Sequence, residues 1–367
     1  MFSMLSRSTA PFKVNDNVCV IDTFEGVEGV TFGGYYDVNL FSPLIGVVGH
    51  HLSRDGYCNI LCKNDEGEIS TIGKTKAFNL QQGARLTIVN EKVVYNSIQD
   101  GYLNSVWVTK KDGKFTKVSF PYPIQSVDQS GTRFCVISYL DLKKFADEYS
   151  FASEFKELIG SKELLLFENF EMVKKISISE LGLGIRDTDG VYFNHFTYSP
   201  TSKFLLGLVR NATTKKSRFI RINLDTMTHS LSANFSVISH YCFIDDYAVV
   251  YWGSHHQKYG YYNFNWKTGE ISQIPELATL QDGHPSIMDR SLIADTYPDR
   301  FRYSKILVYD LEYEKCNLIG QFHQPLKFFG ANRCDLHPVW IDHKTLSIDS
   351  AHTGNRRMYM VQIIGAL

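Results

Sequence analysis

Four histidines, His195, His240, His284 and His337, each open a similar short run in which an aromatic-rich stretch and a polar turn lead into a strand. The runs are Asn194-His195-Phe196-Thr197-Tyr198-Ser199-Pro200, Ser239-His240-Tyr241-Cys242-Phe243-Ile244-Asp245, Gly283-His284-Pro285-Ser286-Ile287-Met288-Asp289 and Leu336-His337-Pro338-Val339-Trp340-Ile341-Asp342. Neutral imidazole is a common metal ligand, and its ordinary pKa lets it shuttle protons near neutrality. Asp335 stands two residues before His337, so in an extended strand both side chains face the same way. With His240 and His284 they make a three- or four-ligand nitrogen and oxygen set suited to Mn²⁺, Fe²⁺ or Zn²⁺. The competing reading is a ring of histidines that only hydrogen-bond backbone groups. Repetition argues against it, because packing alone does not demand the same imidazole four times. Arginines recur nearby: Arg333 before His337, Arg300 after Asp295-Thr296-Tyr297-Pro298-Asp299, and Arg85 after Gln81-Gln82-Gly83. A guanidinium suits bidentate recognition of carboxylates, with plain surface solvation as its alternative.

Other signatures fail on spacing. Gly67 to Thr75 looks like a phosphate loop, but five residues separate its glycines where the motif needs four, and no helix follows. Gly182-Leu183-Gly184 lacks the third glycine of a dinucleotide site. Neither a Gly-x-Ser-x-Gly elbow nor a His-Glu-x-x-His pair is present. Cys58 and Cys62 are too far apart for a Cys-x-x-Cys site, and the seven cysteines show no disulfide spacing, which suits buried free thiols in a reducing compartment.

The elements that must position the histidines are strands. Runs such as Arg85–Val89, Lys92–Tyr95 and Ser105–Thr109 are short, β-rich and bounded by polar turns such as Lys111-Asp112-Gly113-Lys114. The histidines lie 45, 44 and 53 residues apart, and repeats of about 40 to 50 residues with several strands each are the mark of propeller blades. Seven units begin near 30, 80, 128, 190, 238, 282 and 333. The chain is thus expected to be all-β, a seven-bladed β-propeller spanning residues 1–367 as one domain. Residues 15–23 are left over before the first unit and are expected to close the ring as a strand of the last blade, removing an open sheet edge. Residues 141–160 carry Leu142, Phe145, Tyr149, Phe155 and Ile159 at helical spacing and predict a helical insertion in the third blade, either a local cover or a lid. Equivalent positions of successive blades converge on a central channel. The four imidazoles are therefore expected on one face of the ring, pointing into a common channel mouth, with Arg333 and Asp335 beside them and Arg300 within reach.

Composition sets limits. With 38 basic against 39 acidic residues there is no basic excess of the kind that nucleic-acid binding shows. No apolar run approaches the roughly 18 residues of a membrane span, and the polar stretch Met1 to Pro11 does not read as a secretory signal. The expected setting is cytoplasmic.

Gly283-His284-Pro285-Ser286, the Asp295–Asp299 stretch, and Arg333 to Pro338 running on to Asp349-Ser350-Ala351-His352-Thr353-Gly354-Asn355-Arg356 resemble a bacterial propeller family. That family is similar to the oligogalacturonate lyases and is often encoded among genes for surface-polysaccharide assembly. Gln81-Gln82-Gly83 and Ser239-His240-Tyr241 also fit. In those lyases Mn²⁺ is held by histidines and a glutamine on successive blades. The resemblance implies His284 or His240 as the earlier ligand and His337 as the last, with Asp335 where the lyases carry a second histidine and Asn332 at the glutamine position. The leading expectation is a carbohydrate-active propeller that acts on a uronic-acid-containing oligosaccharide or polysaccharide by metal-assisted β-elimination. Elimination would need the uronate carboxylate neutralised, with help from Arg333 or Arg300, and a base for the C5 proton, His195 or His240, with Gln81, Arg85 and Arg356 expected in substrate binding. The alternative is a non-catalytic propeller that binds a glycan or scaffolds glycan-assembly enzymes; Asp335 in place of a lyase histidine favours it.

Overall fold

In the strand Lys92–Gln99 a run of four residues is buried on both faces, while Lys114–Phe120, two strands further out in the same sheet, is largely exposed. This gradient means that each sheet is sandwiched between two neighbours and sheds water only at its inner and middle strands. The computed structural model describes residues 11–184, 188–233, 236–278 and 280–365. They form seven sheets of consecutive antiparallel strands arranged as the blades of a β-propeller. The innermost strands are Val30–Phe32, Thr87–Val89, Ser126–Val127, Val191–Tyr198, Ile238–Phe243, Ser286–Met288 and Val339–Asp342. Val18–Asp22 pairs antiparallel with Arg357–Ile363 and becomes the outer strand of blade seven, with Val20 opposite Val361. A second strand, Phe12–Val14, adds to the edge of blade six, with Phe12 opposite Phe322. The reading of the N-terminal stretch as polar concerns Met1 to Ala10, which lie outside the described residues, and Pro11.

The insertion differs from expectation. It leaves blade three after the strand Arg133–Ile137 and returns at Glu163–Glu168, but its helix covers only Tyr139–Phe145, followed by a single 3-10 turn, Asp147–Tyr149. Ala146, at φ −153° and ψ 61°, is out of helical geometry. The aromatic residues serve different neighbours: Phe145 stacks on Tyr192 of blade four, and Phe151 stacks on Tyr139. One straight helix could not make both contacts. The seven cysteines are unpaired, and no helix among the described residues is long and apolar enough to cross a membrane.

Blades one and two are joined through His50. Its Nδ1–H donates to the Phe32 carbonyl (3.2 Å), and its Nε2 accepts from the Ala84 N–H (2.9 Å). A Cβ on Gly83, which sits at φ +61°, would strike the ring. Burial pushes the His50 pKa down from 6.5 to about 4. The folded pKa lies below the unfolded one, so the stabilisation from neutral His50 is complete above pH 6.5 and is lost as pH falls towards 4. The lost stabilisation amounts to about 3 kcal/mol. In urea unfolding, the advantage of the native protein over His50→Gln should shrink by about that amount as pH is lowered through this window. An advantage that stays constant would show that His50 titrates normally in the fold.

Candidate metal centre and active site

The histidines reach the axis by two local devices. In blades four and five the pairing register slips between Asn194 and Thr197 and between Ile238 and Tyr241, so His195 and His240 sit within β-bulges. A bulge inserts an unpaired residue and re-aims its side chain. In blades six and seven His284 and His337 stand two residues before the innermost strand begins. Here a Cβ on Gly283 would run into the Asp295 carbonyl, so only glycine allows this approach. His195 (φ 49°) and His337 (φ 43°) both hold the left-handed backbone that side-chain-bearing residues avoid. Neighbouring rings follow one another at centroid distances of 5.5 Å (His195 to His240), 4.3 Å (His240 to His284) and 4.3 Å (His284 to His337).

These rings do not face an open channel mouth. All four histidines are 1–2% exposed. Tyr35 occupies the space between them, with ring centroids 5.4, 6.2, 5.7 and 5.0 Å from His195, His240, His284 and His337. Tyr36 packs against His240 and His284 from the other side (5.7 and 5.4 Å). Its hydroxyl donates to the Tyr241 carbonyl and accepts from the Tyr241 N–H. The channel itself is lined by the innermost strands of blades two to seven, including Thr87, Thr197, Ser286 and Trp340, and by the blade-one segment from Tyr36 to Phe41, and Tyr36, which packs on His240 and His284, lies at its inner end. In each histidine-bearing blade the channel-lining residues follow the histidine. The channel therefore lies on one side of the histidine layer and the blade-three insertion on the other.

Carboxylates fix the histidines. His284 Nδ1–H donates to Asp295 (3.0 Å), which also accepts the backbone N–H groups of His284 and His337. His284 thus has Nε2 as the ring nitrogen not engaged by Asp295. His240 Nδ1 pairs with Asp282 at 3.1 Å, and Asp282 also accepts from the Ser239 hydroxyl. Burial pushes the His195 and His337 pKa values well below their ordinary range, reinforced by Arg210 for the former and His284 for the latter. For His240, burial outweighs Asp282 and the pKa is again lowered. At His284 burial opposes protonation, but Asp295, together with Asp335 and Asp282, holds the pKa above the ordinary value. Burial also raises Asp335, against the pull of Arg333.

One ligand atom from each of His284, Asp335 and His337 lies within 4.8 Å of the others. Asp335 Oδ1, both ring nitrogens of His337 and His240 Nε2 are buried without a hydrogen-bond partner. Buried polar atoms are nearly always satisfied, so a cluster of such orphans is what a divalent ion would complete. The donor set fits that ion. His240 adjoins the trio through its ring contact with His284.

The other anticipated residues divide. Arg333 borders the trio and pairs with Asp335 (2.6 Å) and with Glu148 of the insertion (2.7 Å). Gln81 and Arg356 donate to the Arg333 carbonyl, so they hold the loop that carries Arg333. Arg85 makes a buried ion pair with Asp37 (2.8 Å). Arg300 is exposed and lies over the Phe301 ring at 4.6 Å. Trp107 and Trp340, aromatic rings that could have stacked on a sugar, are buried in cores between blades. Sequence reasoning missed Tyr35, Tyr149, Asp282 and Arg210, whose guanidinium donates to the Ser239 carbonyl. The available signal was Gly33-Gly34 before Tyr35. Both glycine N–H groups donate to Asp349, and Gly34 sits at φ +113°, which lets the chain turn towards the axis.

The fold and site thus define a seven-bladed propeller with a layer of buried histidines beside its channel. No family model matches the chain, and no curated protein matches its sequence. Among solved structures, an oligogalacturonate lyase from Vibrio parahaemolyticus is 11% identical, with 96% of each chain covered and a TM-score of 0.47. An oligogalacturonate lyase in complex with manganese is 12% identical over 96% of each chain, at a TM-score of 0.43. A putative 6-phosphogluconolactonase from Bacteroides fragilis is 11% identical, covering 94% of this chain and 90% of its own, at 0.46.

Proposed function

We propose that this protein binds a divalent metal ion, with Mn²⁺ as the first candidate, between His284, Asp335 and His337, and acts on a uronic-acid-containing glycan by β-elimination. The observation that carries this reading is the trio with its unpartnered buried ligand atoms, set beside Arg333. When bound, the ion supplies Lewis-acid polarisation of the substrate carboxylate. Arg333 adds a guanidinium at the same place, its Nη2 group engaged by neither Asp335 nor Glu148. His195 is the base for the C5 proton. Its depressed pKa keeps it neutral, and its Nδ1 has no partner. Tyr35 Oη lies 3.4 Å from His195 Nε2, and burial keeps the phenol protonated. It is the proton donor to the leaving oxygen as the C4–O bond breaks and the C4–C5 double bond forms.

A non-catalytic glycan-binding or scaffold role is the second reading, favoured by the near-complete burial of all four imidazoles. One experiment separates the two. Purified protein should carry one metal per chain by elemental analysis, melt lower after chelation, and with Mn²⁺ release unsaturated product, seen by ultraviolet absorbance, from some member of a panel of uronate oligosaccharides. Absence of metal, melting unchanged by chelation and no product together would establish the second reading.

A further inference from the structure

The histidine layer is sealed, yet the seal is built unevenly. The two feet of the blade-three insertion are pinned. The Glu157 carboxylate accepts from the Ser138 hydroxyl and from the N–H groups of Tyr139 and Leu140. Asp141 accepts from Ser161 and from the Lys162 N–H. Lys156 exchanges backbone bonds with Gly101 and Leu103 of blade two. The tip, Asp147–Tyr149, is held by one ion pair, Glu148 to Arg333, and by the edge-on ring of Tyr149 against His195 (5.0 Å) and Tyr35 (6.1 Å). The side chains of Glu148 and Arg333 are 34% and 22% exposed, against 1–2% for the histidines behind them. A partly exposed ion pair is a weaker attachment than the hydrogen bonds at the feet, so the tip can part while the feet stay in place.

Of the two carboxylates on Arg333, Asp335 is buried at 1% exposed, whereas Glu148 arrives from the insertion at the solvent boundary. We infer that the insertion is a lid, and that Glu148 is an internal stand-in for a substrate carboxylate, holding Arg333 until a carboxylate-bearing ligand displaces it and the tip swings away from His195 and Tyr35. This rests on the uronate reading of the same site. The lid acts as a filter: neutral glycans have nothing to exchange for Glu148, whereas a sugar acid does.

The test compares the full-length protein with Glu148→Gln, which keeps size and loses charge, and with Arg333→Met, using trigalacturonate as the probe in calorimetry and amide hydrogen exchange without ligand. When the competing closed state is weakened, the apparent affinity rises with the open fraction. Glu148→Gln should therefore bind trigalacturonate about tenfold tighter than the native chain, Arg333→Met should not bind it, and exchange across 143–150 should quicken in both variants. Binding by Glu148→Gln that is equal to or weaker than native overturns the stand-in role. Exchange across 143–150 unchanged in both variants overturns the lid. If no form binds trigalacturonate, the uronate reading and the stand-in role fail together, and the lid is decided by exchange alone.

Discussion

Replacing His337 by leucine should abolish metal binding while leaving the metal-free protein as stable as the native chain, or more so. Both ring nitrogens of His337 are buried without partners, and each such group costs about 1–3 kcal/mol in desolvation. Leucine fills a similar volume and removes that cost, and no other side chain loses a hydrogen bond. Removing a partner that merely orients a ligand weakens metal binding by about 10- to 100-fold, so loss of a ligand should exceed that, and elimination activity should disappear with it. The two effects point in opposite directions, which is the mark of a residue kept for function at a cost in stability. Equilibrium metal titration and urea unfolding of the chelated protein measure them. A clear loss of stability with metal uptake intact would instead make His337 a packing residue.

Replacing Arg85 by methionine should destabilise the fold by about 3–5 kcal/mol, because it leaves the Asp37 carboxylate buried without its countercharge. The pair is 2% and 5% exposed, and both guanidinium amino groups are spent on Asp37, with Nε spent on the Gln125 carbonyl. Adding Asp37→Leu should recover most of the loss, since the penalty belongs to the orphaned charge and not to the missing pair. Chemical denaturation of the two variants reads this directly. A residue that served only the substrate would give the other pattern, with unfolding unchanged and activity lost, so the same pair of variants decides between the sequence expectation for Arg85 and its place in the fold.

Repetition made most of this legible. Four histidines at the same station of four units predicted their convergence, because a propeller carries equivalent positions to one axis. The blade boundaries and the closing strand followed from the same period. What repetition could not reveal are residues that occur once. Tyr35 and Tyr149 have no counterparts in other blades, and between them they turn an expected open mouth into a buried layer. Asp282 and Arg210 act through long-range neighbours that only the closed ring brings together. The insertion was legible as an interruption but not as a shape: its aromatic residues had helical spacing, yet tertiary contacts to Tyr139 and Tyr192 decided where the helix stops. Arg356 and Gln81 were expected in substrate binding, while their donors are consumed by backbone carbonyls, those of Leu80 and Arg333 for Arg356 and that of Arg333 for Gln81.

Tyr36 has a consequence for traffic. At the inner end of the channel, with its hydroxyl tied to both backbone groups of Tyr241, it makes the central opening a cul-de-sac. With Tyr35 and the imidazoles behind it almost fully screened from solvent, the ring is not a bead through which a polymer can be threaded. If the insertion is the lid inferred above, whatever reaches the histidines would enter and leave on that side. On the uronate reading, a long glycan would then have to offer a free end or a bent segment there and withdraw after each encounter, and sliding from one bond to the next along a single strand would be closed to it.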